Sequence, residues 1–210
     1  MSDATPGIST DERPHDPYDN LTWPSVRGDY SVGDPDSRVA VVTLASQFRV
    51  EGAAICGPCK TENLGVEKVV ANVISNSNIR FLLVCGSESR GHLPGDTILA
   101  LHKNGIDESG RILGSKGAIP FIENLPPEAV SRFQRQVEVI DLIGISDVEE
   151  IARQVREHCA RSGPYPKPPM EVVKRRTRTT AMIGGDGDVF LGAGVQLDSS
   201  AWAVVEVATR

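Results

Sequence analysis

Hydrophobic positions along this chain fall into short continuous runs and longer periodic stretches, separated by glycine and proline. Val39-Ala-Val-Val-Thr-Leu-Ala45 and Phe81-Leu-Leu-Val-Cys85 are almost wholly apolar, as strands buried on both faces of a sheet are. Val139 to Ile143 supply a third strand. Val66, Val69, Val70, Val73 and Ile74 recur at i, i+3, i+4, i+7 and i+8, the stripe of an amphipathic helix, for which Thr61 is the predicted N-cap. Strand, helix and strand make a βαβ unit, right-handed by the general rule. Ile98, Leu99 and Leu101 begin a second helix, with Asp96 near its positive end. Pro126-Pro127 opens a third, with Val130, Phe133 and Val137 on one face. Ser146 and Glu149 form a capping box for a fourth, burying Val148, Ile151, Ala152 and Val155 and ending by Gly163-Pro164.

These elements predict a small Rossmann-like α/β fold, with a mainly parallel sheet, helices on both faces and a C-terminal β-rich tail. Residues 1–21 lack apolar periodicity and are expected to be disordered or extended. Residues 22–163 form the α/β domain, 164–178 a proline-rich basic linker, and 179–210 the tail. Two long loops interrupt the domain. Ser46 to Lys60 carries Cys56-Gly-Pro-Cys59. Gly105 to Asn124 includes Pro120, which argues against a central strand there. Loops of such length inside a compact domain are more often functional than idle.

Composition narrows the function classes. The 210 residues are 40% hydrophobic and 24% charged, an ordinary soluble composition. No apolar run approaches the roughly 20 residues that span a bilayer, and the opening is polar, acidic and proline-rich rather than a secretory signal. No transmembrane segment is expected. A net charge of −6 gives no general attraction to nucleic acid, and the cluster Lys174, Arg175, Arg176 and Arg178 reads as solvated. Four unevenly spaced cysteines fit a reducing cytoplasm.

Candidate chemistry gathers where the Phe81 strand ends. Gly86 to Gly95 is a glycine- and serine-rich loop leading into a helix, so His92 sits at the carboxyl edge of a sheet, where open α/β folds bind ligands. Spacing alone leaves His92 open between a ligand and an ordinary loop histidine. His15, His102 and His158 read as surface or partly buried side chains. Glu62 and Glu123 are single acids in loops that converge on the same edge. Cys56 and Cys59 have redox-pair spacing, but no second pair completes a zinc site, and the loop is too long for a thioredoxin-like placement. The serine and glycine patterns match neither a hydrolase elbow nor a dinucleotide fingerprint.

Four motifs then appear in order. They are Trp23-Pro-Ser-Val-Arg-Gly-Asp-Tyr30, Gly57-Pro-Cys-Lys-Thr-Glu-Asn-Leu-Gly65, Gly86-Ser-Glu-Ser-Arg-Gly-His92 and Gly117-Ala-Ile-Pro-Phe-Ile-Glu-Asn-Leu-Pro126. Together they resemble the A subunit of tetrahydromethanopterin S-methyltransferase, over about Trp23 to Cys159. The resemblance implies a cobalamin-type corrinoid with His92 as axial cobalt ligand and catalytic residue. It places Gly57, Thr61, Glu62, Asn63, Gly86, Ser87, Gly91, Gly95, Gly117, Ala118, Ile119 and Pro120 around the cofactor. It implies a carrier that takes a methyl group from methyl-tetrahydromethanopterin or methyl-tetrahydrofolate, through a pterin-dependent methyltransferase subunit. The group then passes to an acceptor such as coenzyme M, or to an acceptor-specific methyltransferase.

Axial ligation needs an unprotonated ring nitrogen, so it weakens in acid. The other ring nitrogen is expected to find a partner, Glu88 or a backbone carbonyl. Arg90 stands where flavodoxin-like cobalamin domains have Asp in Asp-x-His-x-x-Gly, which favours the first family. Membrane-bound members of that family end in a hydrophobic anchor. Here a proline-basic stretch and β-like tail follow the domain, so a soluble cytoplasmic carrier is expected. The alternatives are a corrinoid-free scaffold or regulatory module that keeps the fold, and a redox protein using Cys56 and Cys59.

Overall fold

The computed structural model describes residues 23–172 throughout and, beyond them, strand residues 182–183, 189–190, 195–198 and 203–206. The N-terminal segment expected to be disordered and the basic cluster 174–178 lie outside the described residues. The chain divides into two units, Met1–Val173 and Lys174–Arg210.

The first unit is built on a five-stranded sheet. Its strands are β1 (Ser31–Val32), β2 (Val39–Val42), β3 (Ile55–Gly57), β4 (Phe81–Gly86) and β5 (Glu138–Ile143), in the order β1-β3-β2-β4-β5. Only β1 runs antiparallel. β2 and β4 lie in the interior of the sheet and are buried along their whole length, which is why they are apolar without alternation. β5 is an edge strand, half-buried, and admits Glu138 and Asp141.

Side chains of successive strand residues go to opposite faces. Ala40, Val42, Leu82 and Val84 pack beneath α1 (Leu64–Ile74), α2 (Pro94–Asn104) and α3 (Pro127–Gln136), against Val66, Val70, Ile98, Leu101 and Phe133. Val39, Val41, Leu83 and Cys85 face Ile151 and Val155 of α4 (Val148–Cys159). The expected parallel Rossmann-like sheet with helices on both faces is therefore the observed fold.

Several local expectations change. The loop from Ser46 to Lys60 contains β3, which pairs in parallel with β2; three residues are too few to give a readable period. β2 ends at Val42 rather than Ala45, and Leu44 turns the chain with φ 51°. Asn63, not Thr61, caps α1: its side chain accepts from Leu64 N at 2.7 Å, while Thr61 Oγ1 accepts from Gly65 N at 3.0 Å. Asp147, not Ser146, caps α4 by accepting from Glu149 N and Glu150 N. Val148, expected inside, is 39% exposed because the first turn of α4 overhangs the edge of the core.

Residues 164–172 lie along the domain. Tyr165 N donates to Ser77 O and Met170 N to Ile74 O, and Arg132 stacks 4.3 Å from the centre of the Tyr165 ring. The second unit contains β6 (Met182–Ile183), β7 (Val189–Phe190), β8 (Val195–Asp198) and β9 (Ala203–Glu206), an antiparallel sheet of its own. Among the described residues no helix is long and apolar enough to cross a membrane.

Candidate functional site

At the carboxyl edge of the sheet, helices begin, and their first N–H groups need acceptors. Glu88 meets this need for α2. Its carboxylate accepts from Gly95 N at 3.0 Å and Asp96 N at 2.8 Å, tying the loop after β4 to the helix that follows. Within that loop Gly91 takes φ 80°, a left-handed turn that places His92 beyond it, and His92 N donates to Ser89 O at 3.0 Å. Glu88 is thus fully used in the helix cap. It is not the partner of the His92 ring.

That partner is Glu62. Its Oε2 lies 2.7 Å from His92 Nδ1, while its Oε1 accepts from Ile119 N at 3.0 Å. Glu62 is 1% exposed, yet the His92 side chain is 46% exposed. Burial pushes the Glu62 carboxyl up, but backbone N–H donors, including Ile119, and the His92 ring outweigh it and hold the group below its ordinary range. An ionised Glu62 assigns the Nδ1 position a proton. In the neutral ring Nε2 then carries the lone pair, and it has no hydrogen-bond partner among the described residues.

The 117–124 loop is tied to the same edge at further points. Glu67, buried on α1, accepts from Glu123 N and from both Asn124 N and Asn124 Nδ2. Asp96 Oδ2 accepts from Lys116 N, and Thr97 Oγ1 and Ser115 Oγ share a hydrogen bond of 2.8 Å. Sequence reasoning missed Glu67 and Thr97. The legible signal was a polar residue inside an otherwise apolar helical stripe.

The structure brings His92, Glu62 and Ile119 together and leaves Ala118 and Ile119 exposed, the latter by 57%. Pro120 is buried, with its carbonyl accepting from Ile112 N. Ser87 is exposed, and its N–H donates to Ser46 Oγ at 3.0 Å. Thr61 and Asn63 serve the start of α1.

The glycines expected around the cofactor divide by their surroundings. A Cβ at Gly95 would sit 2.8 Å from Glu88 Oε1, one at Gly117 2.9 Å from Thr97 Oγ1, and one at Gly57 2.7 Å from Tyr30 Cβ; Gly86 is likewise closed in by Thr43 and Ser46. Their missing side chains are accounted for by the protein's own packing. Gly91 alone of the five borders open space.

Cys56 packs on the α4 face of the sheet and Cys59 on the other, so the Cys-Gly-Pro-Cys spacing does not bring the thiols into one environment. Both are free, and burial raises both, Cys59 to about 12. A cavity of about 180 Å³ lies between residues 28–30, α1 and the sheet, and does not include His92.

Among the described residues no group of three or more His, Cys, Asp or Glu side chains could hold a bare metal ion. A metal at His92 Nε2 would have one protein ligand and would have to bring the rest of its coordination with it. A corrin does this by supplying four equatorial nitrogens, so the residues present fit that group.

Comparison with known proteins adds identity to this geometry. The family described as the A subunit of tetrahydromethanopterin S-methyltransferase matches residues 16–179. The A subunit of a putative methyltransferase, Mtx, from Methanosarcina acetivorans is 56% identical over 181 residues, 85% of this chain and 92% of its own length. The corresponding protein of Methanosarcina barkeri is 54% identical over 184 residues, covering 87% and 93%. The second of the tetrahydromethanopterin S-methyltransferase A subunits of Methanothermobacter thermautotrophicus is 57% identical over 140 residues, covering 64% and 76%. With its α/β fold, its exposed histidine and these relatives, the chain belongs to the family of tetrahydromethanopterin S-methyltransferase A subunits.

Proposed function

We propose that this protein is a corrinoid-binding methyl carrier, with His92 Nε2 as the axial ligand of the cobalt. The carrying observation is the Glu62–His92 pair. A buried carboxylate holds an exposed ring by its Nδ1, so that in the neutral ring Nε2 keeps the lone pair free for a ligand. Carboxylate support of this kind raises the basicity of a metal-bound imidazole.

When bound, the corrinoid supplies a cobalt centre that accepts and releases the methyl group. The protein's part is positional. Glu62 holds the Nδ1 proton, and Glu88 anchors the far side of the loop on α2. Glu67 fixes the 117–124 loop, whose Ile119 N–H occupies the second oxygen of Glu62. The donor side is a pterin-dependent methyltransferase subunit bringing methyl-tetrahydromethanopterin or methyl-tetrahydrofolate. The methyl group passes to an acceptor such as coenzyme M or to an acceptor-specific methyltransferase. The family name describes one subunit of such a complex, which supports separate partners for the two half-reactions.

The test is the visible spectrum of the protein mixed with cobalamin and gel-filtered. Wild-type protein should elute coloured with a histidine-ligated spectrum, and His92→Ala should lose that signature while remaining folded, its melting temperature lowered by several degrees because buried Glu62 loses one partner. A colourless wild-type protein, or an unchanged spectrum in His92→Ala, overturns the reading.

A further inference from the structure

We infer that the open groove beside the His92 loop receives the phosphate-bearing nucleotide arm of the corrinoid, with Arg49 as its anion contact. This rests on the corrinoid reading above and adds a second anchoring point to it.

The groove has a volume of about 450 Å³, within the roughly 300–1,000 Å³ of small-ligand sites. Thr43, Ser46, Gln47, Phe48 and Arg49 line one side, in the segment that leaves β2, and Asp29 lies opposite. Its place in the fold links it to His92. Ser46 Oγ accepts from Ser87 N, and Ala45 N donates to Ser87 O, so the backbone that starts the His92 loop is hydrogen-bonded to the groove wall.

The lining chemistry selects the ligand. Arg49 and Gln47 are exposed, and Arg49 has no ion pair among the described residues of a chain carrying −6. A guanidinium with several free N–H groups matches a phosphodiester. Gln47 and the Ser46 hydroxyl suit ribose and amide groups, and half-buried Phe48 offers an apolar wall for a planar base. Asp29 disfavours a free phosphate dianion, which carries more charge than a diester. The neighbouring cavity of about 180 Å³ is floored by Ala40, Val42, Ile55 and Leu82, and such walls do not compensate a phosphate.

The experiment uses two corrinoids that differ only in this arm. Full-length wild-type protein and Arg49→Gln are titrated with cobalamin and with cobinamide, which lacks the nucleotide arm, following the visible spectrum. Melting temperature confirms that the exposed substitution leaves the fold intact. Arg49→Gln should weaken cobalamin binding about tenfold, the size of one charge-assisted hydrogen bond, and leave cobinamide binding unchanged. An equal loss for both corrinoids, or no loss for either, overturns the inference while the His92 reading stands. Failure of wild-type protein to bind either corrinoid overturns both.

Discussion

The two poles of the five-stranded sheet solve opposite electrostatic problems. At the amino edge helices end, and their carbonyls need donors. Gln136, 1% exposed, donates through one Nε2 to Val73 O, Asn76 O and Ile79 O, while its Oε1 accepts from buried Arg132. Arg132 also donates to Lys167 O and Pro168 O, and His102 Nε2 lies 2.8 Å from Val137 O. At the carboxyl edge helices begin, and acceptors are needed. Glu62, Glu67 and Glu88 supply them. The amino pole uses its polar side chains to hold backbone together. The carboxyl pole does much the same, but there one oxygen of buried Glu62 holds an exposed histidine. That contact is what sets the proposed ligand site apart from a well-satisfied corner of the fold.

The largest expected effect lies at the amino pole. Gln136→Leu removes the two amide N–H donors shared among three buried carbonyls, of which Val73 O and Asn76 O keep backbone donors, and the acceptor of Arg132 Nε. It should cost about 3 kcal/mol, or roughly 10 °C in melting temperature, while leaving any spectrum of bound corrinoid unchanged. Loss of corrinoid ligation in this variant would show that the poles are not independent.

Glu62→Gln is the counterpart at the carboxyl pole. A neutral amide can still accept from Ile119 N but no longer fixes the Nδ1 proton electrostatically. Affinity for cobalamin should fall about 10- to 100-fold, with the melting temperature lowered by only a few degrees. Equal affinities for variant and wild type would remove Glu62 from the site.

A smaller effect is expected in the pH profile. The folded state holds Glu62 below its ordinary range. The stabilisation is therefore complete above the unfolded carboxyl value of about 4.3 and is lost as pH falls through the lower folded value. Melting curves from pH 7 to pH 3 should show wild type and Glu62→Gln converging only at the acidic end. A difference that vanishes by pH 6 would contradict the assignment.

The smallest signal concerns the cysteines. Cys56, Cys59 and Cys85 are buried, with their thiols raised by burial, Cys59 and Cys85 to about 12. Under native conditions at pH 8 only half-buried Cys159 should react readily with a thiol reagent. Rapid labelling of Cys56 and Cys59 would reopen a redox role.

The core was legible in the chain because its strands and helices have strong periods. The runs at Val39 and Phe81 and the stripe from Val66 to Ile74 needed only burial and geometry to be read. β3 was not legible: three residues ending in glycine acquire a strand's identity only from the parallel partner beside them. Helix caps were displaced by one or two residues, from Thr61 to Asn63 and from Ser146 to Asp147. Neighbouring polar side chains compete for the same N–H groups, and small differences in backbone angle decide between them.

By itself the sequence determined the α/β class, the place of His92 after a central strand, and the ordered motifs that link the chain to its family. Only the tertiary structure decided which acid serves the histidine. Glu88 is four residues away and was the natural expectation, but the start of α2 claims both of its oxygens. Glu62, thirty residues distant, reaches the ring because β3 and α1 bring its loop to the same edge. The glycines show the same division. Their presence was plain in the chain, yet only packing shows that Gly57, Gly86, Gly95 and Gly117 make room for the protein itself while Gly91 faces open space. Periodicity is a local property written along the chain, whereas the pairing of a buried acceptor with an exposed ring depends on which competing donors fold close to it.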